Sequence, residues 1–309
     1  MLLRRKRIGI ALGGGGARGL AHIGVLMAFE RNAIPIDFLA GTSIGALVGG
    51  VFASGISCRE MGDLVDDFLK SPTFQDSALT SIKEMQESKS LSLTQKIQAF
   101  FKNRIILAHA MFRPGVLHAE DFQAMIDFFI PDITFDDLKI PFVAVATDLM
   151  SGYAVSLSQG SLRKAVMASC AVPGAVSPVE DEGRFLSDGG IVTLVPTATV
   201  RKMGAEFVVG VTVGSDIETG EQMKTAMDVY VRATNIMGFH LEQGDLKGAD
   251  VVIRPDVGSL HWTDFLMARD LIREGERAAH ERMAAVQKAL PFYQRRGLRT
   301  IPPDTDEDR

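Results

Sequence analysis

RIGIALGGGGARG, residues 7–19, and IDFLAGTSIG, residues 36–45, decide the fold between them. Each begins as a short apolar strand and ends in glycine. After the first, GLAHIGVLMAFERN places apolar side chains at Leu20, Ile23, Val25, Leu26, Met27 and Phe29, a helix too apolar to face solvent. After the second, Ile44–Phe52 is small and apolar, a second buried helix. Strand, helix, strand, helix at this density predicts an α/β fold: a mostly parallel sheet flanked by crossover helices.

Outward from that core, Arg59–Lys70 is patterned as an amphipathic helix. Residues 71–115 turn rich in Ser, Lys, Gln and Thr, with an apolar part, IQAFFKNRIILAHAMF, from Ile97. A helical insertion over the sheet is expected there. Ala119–Ile130 reads as a helix, PFVAVATDL from Pro141 as a buried strand, and YAVSLSQG from Tyr153 as its more exposed partner. Ser161–Ser169 is a helix stopped before Pro173, and RFLSDGG from Arg184 leads into a turn. Pro196–Met203 is helical, EFVVGVTVG from Glu206 a buried strand, Glu221–Leu246 a helix, DVVIRP from Asp250 a last strand, and Asp264–Leu290 a charged terminal helix. With no repeat and no long linker, the expectation is a single domain over 1–309. It has a motif-bearing core at 8–200 and a C-terminal α/β extension at 201–309.

Composition narrows the function. The chain of 309 residues is 46% hydrophobic and 23% charged, a globular balance. Its net charge of −5 gives no support to nucleic acid as a partner. Cys58 and Cys170 make neither a disulfide framework nor a metal-ligand spacing, so no metal is expected. No run of 18 apolar residues predicts a membrane span. MLLRRKR at the start lacks an apolar segment behind its charges, so no signal peptide is read and a cytoplasmic location is expected. Arg4, Arg5, Lys6 and Arg7 are either a solvated terminus or a contact for anionic lipid.

Gly14, Gly16 and Gly19 satisfy G-x-G-x-x-G, the dinucleotide pattern. That pattern wants an acid at the far end of the second strand, where the ribose sits. Asp37 lies at the near end, and Thr42 and Ser43 occupy the far one. What the loop does supply is free backbone N–H groups at a helix start, a site for a phosphate or for a transient oxyanion. G-x-S-x-G at Gly41–Gly45 fits a nucleophile elbow, with Ser43 on a sharp strand-to-helix turn where a Cβ two residues either side would clash. The N–H of its neighbour Ile44 can add to an oxyanion hole. A serine nucleophile needs a base. Of the six histidines only His261 lies where a hydrolase triad would put one, and His22 reads as packing. Asp188, followed by Gly189 and Gly190, is the better candidate, since the glycines let its loop approach another backbone.

GGGARG (Gly14–Gly19), GTSIG (Gly41–Gly45), Ser169-Cys-Ala-Val-Pro173 and DGG (Asp188–Gly190) occur in the order of the patatin-like phospholipases, and the chain resembles the bacterial members of that family. The resemblance spans roughly 8–200. It implies a patatin-like hydrolase fold and a Ser–Asp dyad without histidine, Ser43 as nucleophile and Asp188 as base. It implies an oxyanion hole in Gly14, Gly15, Gly16, Ala17, Arg18 and Gly19, with Arg18 supporting it. It puts Gly41, Thr42, Ile44 and Gly45 in the elbow, and Gly189 and Gly190 in support of the acid. Where many relatives carry Asn a few residues past D-G-G, this chain has Leu194. The implied activity is hydrolysis of acyl esters of lipids, with no metal or cofactor; peripheral contact at the inner membrane face is open, resting on the basic Arg4–Arg7 run and on the insertion rather than on the resemblance. Short esters or thioesters, or a regulatory role on the same fold, are the alternatives. Oligomeric state is left open. Phe100, Phe101, Ile105, Ile106, Leu107 and Phe112 pack on the sheet, wall an acyl chain or lie on a membrane surface, and Met85, Met111 and Met125 either fill the core or make an adaptable acyl pocket.

Overall fold

The computed structural model describes residues 5–75, 119–214, 216–217, 223–258 and 264–291. In chain order these give β1 (Ile8–Leu12), a 3-10 turn (Gly16–Leu20), α1 (Ala21–Arg31), β2 (Phe38–Thr42), α2 (Ile44–Ala53) and α3 (Cys58–Lys70). Then follow α4 (Ala119–Phe129), β3 (Phe142–Asp148), β4 (Ala154–Leu157), α5 (Leu162–Ser169), β5 (Val179–Asp181) and β6 (Arg184–Asp188). The remainder is α6 (Thr197–Met203), β7 (Phe207–Val211), α7 (Ala226–Leu246), β8 (Val251–Ile253) and α8 (Ala268–Val286). The insertion expected over 71–115 lies outside the described residues apart from its first few. There Pro72–Gln75 forms one helical turn.

The eight strands form one sheet in the order β5-β6-β3-β2-β1-β7-β8, with β4 also on β3. The pairs β1–β2, β2–β3, β1–β7 and β7–β8 are parallel, and β3–β4, β3–β6 and β5–β6 are antiparallel. The parallel centre follows from the buried, unalternating strands read in the sequence. Its two faces differ. Ile8, Ile10, Leu12 and Leu39 join the large core under α1, α2, α4, α5 and α8. The small Ala11 and Ala40 face the other way, into a thinner core closed by Val200 of α6 and Leu246 of α7. The C-terminal part is not an appendage, since β7 pairs with β1 at the centre of the sheet.

Two boundaries differ from the sequence expectation. The helix expected from Glu221 starts at Ala226, where the Thr225 hydroxyl and the Asp228 carboxylate cap each other's N–H groups. The terminal helix is α-helical only over Ala268–Val286, with 3-10 turns at each end. RFLSD, which leads into the expected turn at Gly189–Ile191, is itself an antiparallel strand, because β3 offers it an open edge past the end of β2.

The N-terminal basic run is partly structural. Arg5 donates twice to Asp37, at 2.5 and 2.7 Å, and Arg7 pairs with Glu206 at 3.6 Å. Among the described residues no helix is long and apolar enough to cross a membrane.

Candidate active site

Ser43 follows directly on β2 and caps α2. Its backbone sits at φ 55°, ψ −126°, a left-handed geometry that costs a side-chain-bearing residue of order 1–3 kcal/mol. The surroundings enforce it. The Ser43 carbonyl accepts from the N–H groups of Ala46 (2.7 Å) and Leu47 (3.1 Å). Its N–H donates to Ser169 Oγ at 3.0 Å, and that hydroxyl donates in turn to the Val145 carbonyl at 2.6 Å. A Cβ on Gly41 would lie 2.2 Å from the Gly45 carbonyl oxygen, and one on Gly45 2.2 Å from that of Leu12. The two glycines are therefore demanded by close backbone approach, as the elbow motif requires.

Asp188 arrives by a different route. Thr42 pairs with Val145 of β3, and Asp188 pairs with the next residue, Ala146. The parallel β2 and the antiparallel β6 thus bring their ends to consecutive positions of one strand. That register sets the Asp188 carboxylate beside the Ser43 hydroxyl, a neighbour that lowers its pKa. The segment is fixed on all sides. Asp188 N–H and the Ser187 hydroxyl donate to the Ala171 carbonyl at 2.9 and 2.7 Å, and the Thr147 hydroxyl to the Asp188 carbonyl at 2.9 Å. A Cβ on Gly189 would meet the Val145 carbonyl oxygen at 2.3 Å. Ser43 and Asp188 are 9% and 7% exposed. Burial pushes the Asp188 carboxyl up to about 6, against the hydrogen bonds from Ser43 and from the Gly190 N–H, which hold it down.

The glycine loop is clamped at its start. Gly13 N–H donates to Val211 of β7 at 2.9 Å and Gly14 N–H to the Leu194 carbonyl at 3.0 Å. The Leu194 stretch is itself held by Asp245 of α7, whose carboxylate accepts from the N–H groups of Leu194 (2.7 Å) and Val195 (3.0 Å). Leu194 therefore acts on the loop through its backbone. The N–H groups of Gly15, Gly16 and Ala17 precede the first hydrogen bond of the 3-10 turn that starts at Gly16, so they have no acceptor within it. Arg18 donates to the Gly15 carbonyl at 3.2 Å; burial lowers its pKa and the Glu242 carboxylate raises it. Glu242 is buried on α7 and accepts from Arg254 at 3.1 Å; burial pushes its carboxyl up.

Ser43 and Asp188 open into a cavity of about 940 Å³. Gly14, Gly15, Gly16, Arg18, Ile44 and Gly190 line it, whereas Ala17, Gly19, Gly41, Thr42, Gly45 and Gly189 do not. Ala17 and Gly19 are buried behind the loop, and a Cβ on Gly19 would overlap Ile44. The rest of the wall is apolar. Leu47, Val51, Val65 and Phe68 come from the core side, and Tyr230, Met237 and Leu241 from α7. Met125 belongs to this wall; Met85, Met111 and the Phe100–Phe112 cluster lie outside the described residues. Among the described residues no histidine lines the cavity. His22 is buried behind the loop, and His261 lies outside the described residues. Asp37 is engaged by Arg5 and by the Ile8 N–H at 2.7 Å, at the opposite end of β2 from the loop. The ribose position of a dinucleotide site therefore holds no acid. Cys170 also lines the cavity; burial and the Asp188 carboxylate raise its thiol well above the ordinary range. Among the described residues no three His, Cys, Asp or Glu side chains gather as metal ligands.

Three residues at the site had no role in the sequence reading. Ser169 was visible inside a motif but without a function. Asp245 and Glu242 sit on a helix remote in sequence, and only the pairing of β7 with β1 brings that helix to the loop.

The chain belongs to the patatin-like phospholipase family, whose model matches residues 10–200, the span that carries the motifs. An NTE family protein of Mycobacterium tuberculosis (strain ATCC 25618 / H37Rv), itself uncharacterised, is 35% identical over 205 residues, 66% of this chain and 48% of that protein. Patatin-like phospholipase domain-containing protein 6 of Homo sapiens is 32% identical over 220 residues, 71% of this chain and 14% of that protein. The chain thus spans about half the mycobacterial relative and a small part of the human one. Among solved structures, VipD from Legionella pneumophila aligns over 92% of this chain and 67% of its own, with a TM-score of 0.49 and 14% identity.

Proposed function

We propose that this patatin-like protein is a serine acyl hydrolase that cleaves ester bonds of lipids, with Ser43 as nucleophile and Asp188 as base. The observation that carries the proposal is the strand register that sets Ser43 beside Asp188 in a buried site, where burial holds the carboxyl near 6. A carboxylate with an ordinary pKa near 4 is a weak base for a hydroxyl. One raised toward 6 is better matched to neutral pH and still largely ionised there.

The Ser43 oxygen attacks the ester carbonyl carbon while Asp188 takes the hydroxyl proton. The oxyanion meets the N–H groups of the Gly15–Gly16 loop, which its strand-to-helix position aims outward. Collapse of this intermediate breaks the bond to the alcohol, and Asp188 returns the proton to the departing oxygen. Water, deprotonated by the same carboxylate, then attacks the acyl-Ser43 ester; the bond to Ser43 Oγ breaks, Asp188 returns the proton to that oxygen, and the fatty acid leaves. Every step uses groups of this chain.

The apolar cavity supports a lipid acyl chain over a short or polar ester. Its α7 wall carries Tyr230 and Met237 at 66% and 69% exposure, an apolar lip where an acyl chain would enter. The peripheral membrane contact is assigned to this lip rather than to Arg5, which is held by Asp37. Turnover of nitrophenyl esters of graded chain length tests the proposal. It expects activity that rises beyond short acyl chains and vanishes in Ser43→Ala and Asp188→Asn, with both proteins folded. Full turnover in either variant rejects the dyad. A flat or falling chain-length profile rejects the lipid assignment and leaves a general esterase.

A further inference from the structure

We infer that His22 is a positioning residue for the oxyanion loop, acting through a hydrogen bond from its ring to the Gly13 carbonyl; the inference rests on the hydrolase reading of Ser43 and Asp188. His22 stands in the first turn of α1, wholly buried, with Nε2 2.8 Å from the Gly13 carbonyl oxygen. Its other nitrogen, Nδ1, has no partner among the described residues. Burial pushes the imidazole down to about 4, so the ring is neutral at neutral pH. With a carbonyl as its one partner, the proton sits on Nε2, and Nδ1 is left as a buried acceptor without a donor.

That arrangement is poor for stability. A buried, unsatisfied ring nitrogen costs free energy that a Leu or Met in the same space would not. Packing alone therefore gives no reason for a histidine here. The hydrogen bond does. Gly13 lies between a strand and the loop, and the peptide that joins it to Gly14 is held at both ends. Leu194 takes the Gly14 N–H at 3.0 Å, and His22 takes the Gly13 carbonyl. A Cβ on Gly45 would sit 2.7 Å from that same carbonyl oxygen, so Gly13 is pressed against the elbow of Ser43. His22 closes the opposite side. The peptide plane that precedes the loop donors is thereby set relative to the nucleophile. A small rotation of it would turn the next N–H groups away from the oxyanion. Donors placed in advance are what such a hole contributes to the rate.

Gln and Met have the same length and differ at the tip in the ability to donate, so His22→Gln and His22→Met form a matched pair. Kinetics on a soluble nitrophenyl ester, with Ser43→Ala as control, read the outcome. The expected result is a kcat for His22→Met about 10- to 100-fold below the native value, smaller than the loss of a donor itself, with KM unchanged within about twofold. His22→Gln should recover kcat to within about fivefold, its amide N–H replacing the ring's. Equal kcat in Met, Gln and native proteins overturns the assignment, and so does an equal loss in both variants, which would mean that ring shape matters and donation does not. If His22→Met fails to fold, the Gln variant decides alone: near-native kcat supports the hydrogen bond, and a hundredfold loss overturns it. Full turnover in Ser43→Ala would overturn the hydrolase reading instead. A dead Ser43→Ala beside native-like His22 variants would overturn only the role of His22.

Discussion

Ser43 and Met237 face the same cavity from walls built on different terms. Ser43 is 9% exposed, its peptide is tied to Ser169 and to Ala46, and its neighbouring glycines touch other backbones. Met237 is 69% exposed, and the helix that carries it presents Val229, Tyr230 and Val231 to solvent as well. A Cβ added to Gly238 or Gly244 of that helix meets nothing within 4 Å. The inner wall is specified atom by atom by hydrogen bonds and backbone contact. The outer wall is specified mainly by its apolar character. Chemistry needs the first kind, because an attacking oxygen, a base and an oxyanion donor must share one geometry. Holding an acyl chain needs only the second kind, because hydrophobic burial has no direction. The two walls meet at the base of α7, where Asp245 holds the Leu194–Val195 stretch behind the loop and the Glu242 carboxylate acts on Arg18.

If the walls differ in this way, substitutions should rank accordingly. The largest effect belongs to the dyad: Ser43→Ala or Asp188→Asn should lower kcat by about a thousandfold or more, measured on a soluble ester. Asp188→Asn carries a second signature. A carboxyl whose folded pKa is raised stabilises the fold below its unfolded value near 4, and that contribution is lost as pH rises through about 6. At pH 8 the Asn variant, which still accepts from Gly190 and meets Ser43, should therefore be more stable than the native protein by about 1–3 kcal/mol in urea unfolding. Equal stability would mean that burial does not strain this carboxylate.

Next comes Gly45→Ala. Its Cβ would lie 2.2 Å from the Leu12 carbonyl oxygen, backbone that cannot move without shifting β1. A loss of about 3 kcal/mol or more is expected, visible as a thermal midpoint lower by roughly 10 °C or as failure to fold. The pH dependence follows from the same site: kcat/KM should rise with pH through about 6 and level off above it, as Asp188 loses its proton. A profile that rises only above pH 8 would point to another base. On the outer wall, Met237→Ser should raise KM for long-chain esters about threefold and leave short-chain kcat alone, through lost apolar contact. Smallest is Gly244→Ala, which should stabilise α7 by about 0.5–1 kcal/mol, since helical Gly is disfavoured and the space is open. Were Gly45→Ala as mild as Gly244→Ala, the contrast between the walls would collapse.

The same contrast governs what was legible in the sequence. The inner wall is written locally. G-x-S-x-G marks the elbow because strand, the proposed nucleophile and helix are contiguous, and the glycine run marks the loop for the same reason. Asp188 was legible by its glycines and by family resemblance, but its setting was not. RFLSD lacks the apolar period of a core strand, and it becomes β6 only because β3 runs on past the end of β2. Ser169 and Asp245 carry no role in the sequence reading, and His22 reads there as packing, for a related reason. Ser169 and Asp245 each bond a backbone group far away in sequence, and no local pattern encodes that partner; His22 lies only nine residues from Gly13, but the turn that folds it back is not written in any motif. The start of α7 was misjudged because Glu221 suits a helix, while the Thr225–Asp228 cap that sets the boundary is a matter of geometry.

The most direct test of the central claim is a fluorophosphonate, whose tetrahedral adduct uses both nucleophile and oxyanion donors. The native protein should carry one phosphonyl group, on the tryptic peptide that holds Ser43, and Asp188→Asn should label at least about a hundredfold more slowly. Labelling at another serine, or at equal rate in Asp188→Asn, would contradict the Ser43–Asp188 account.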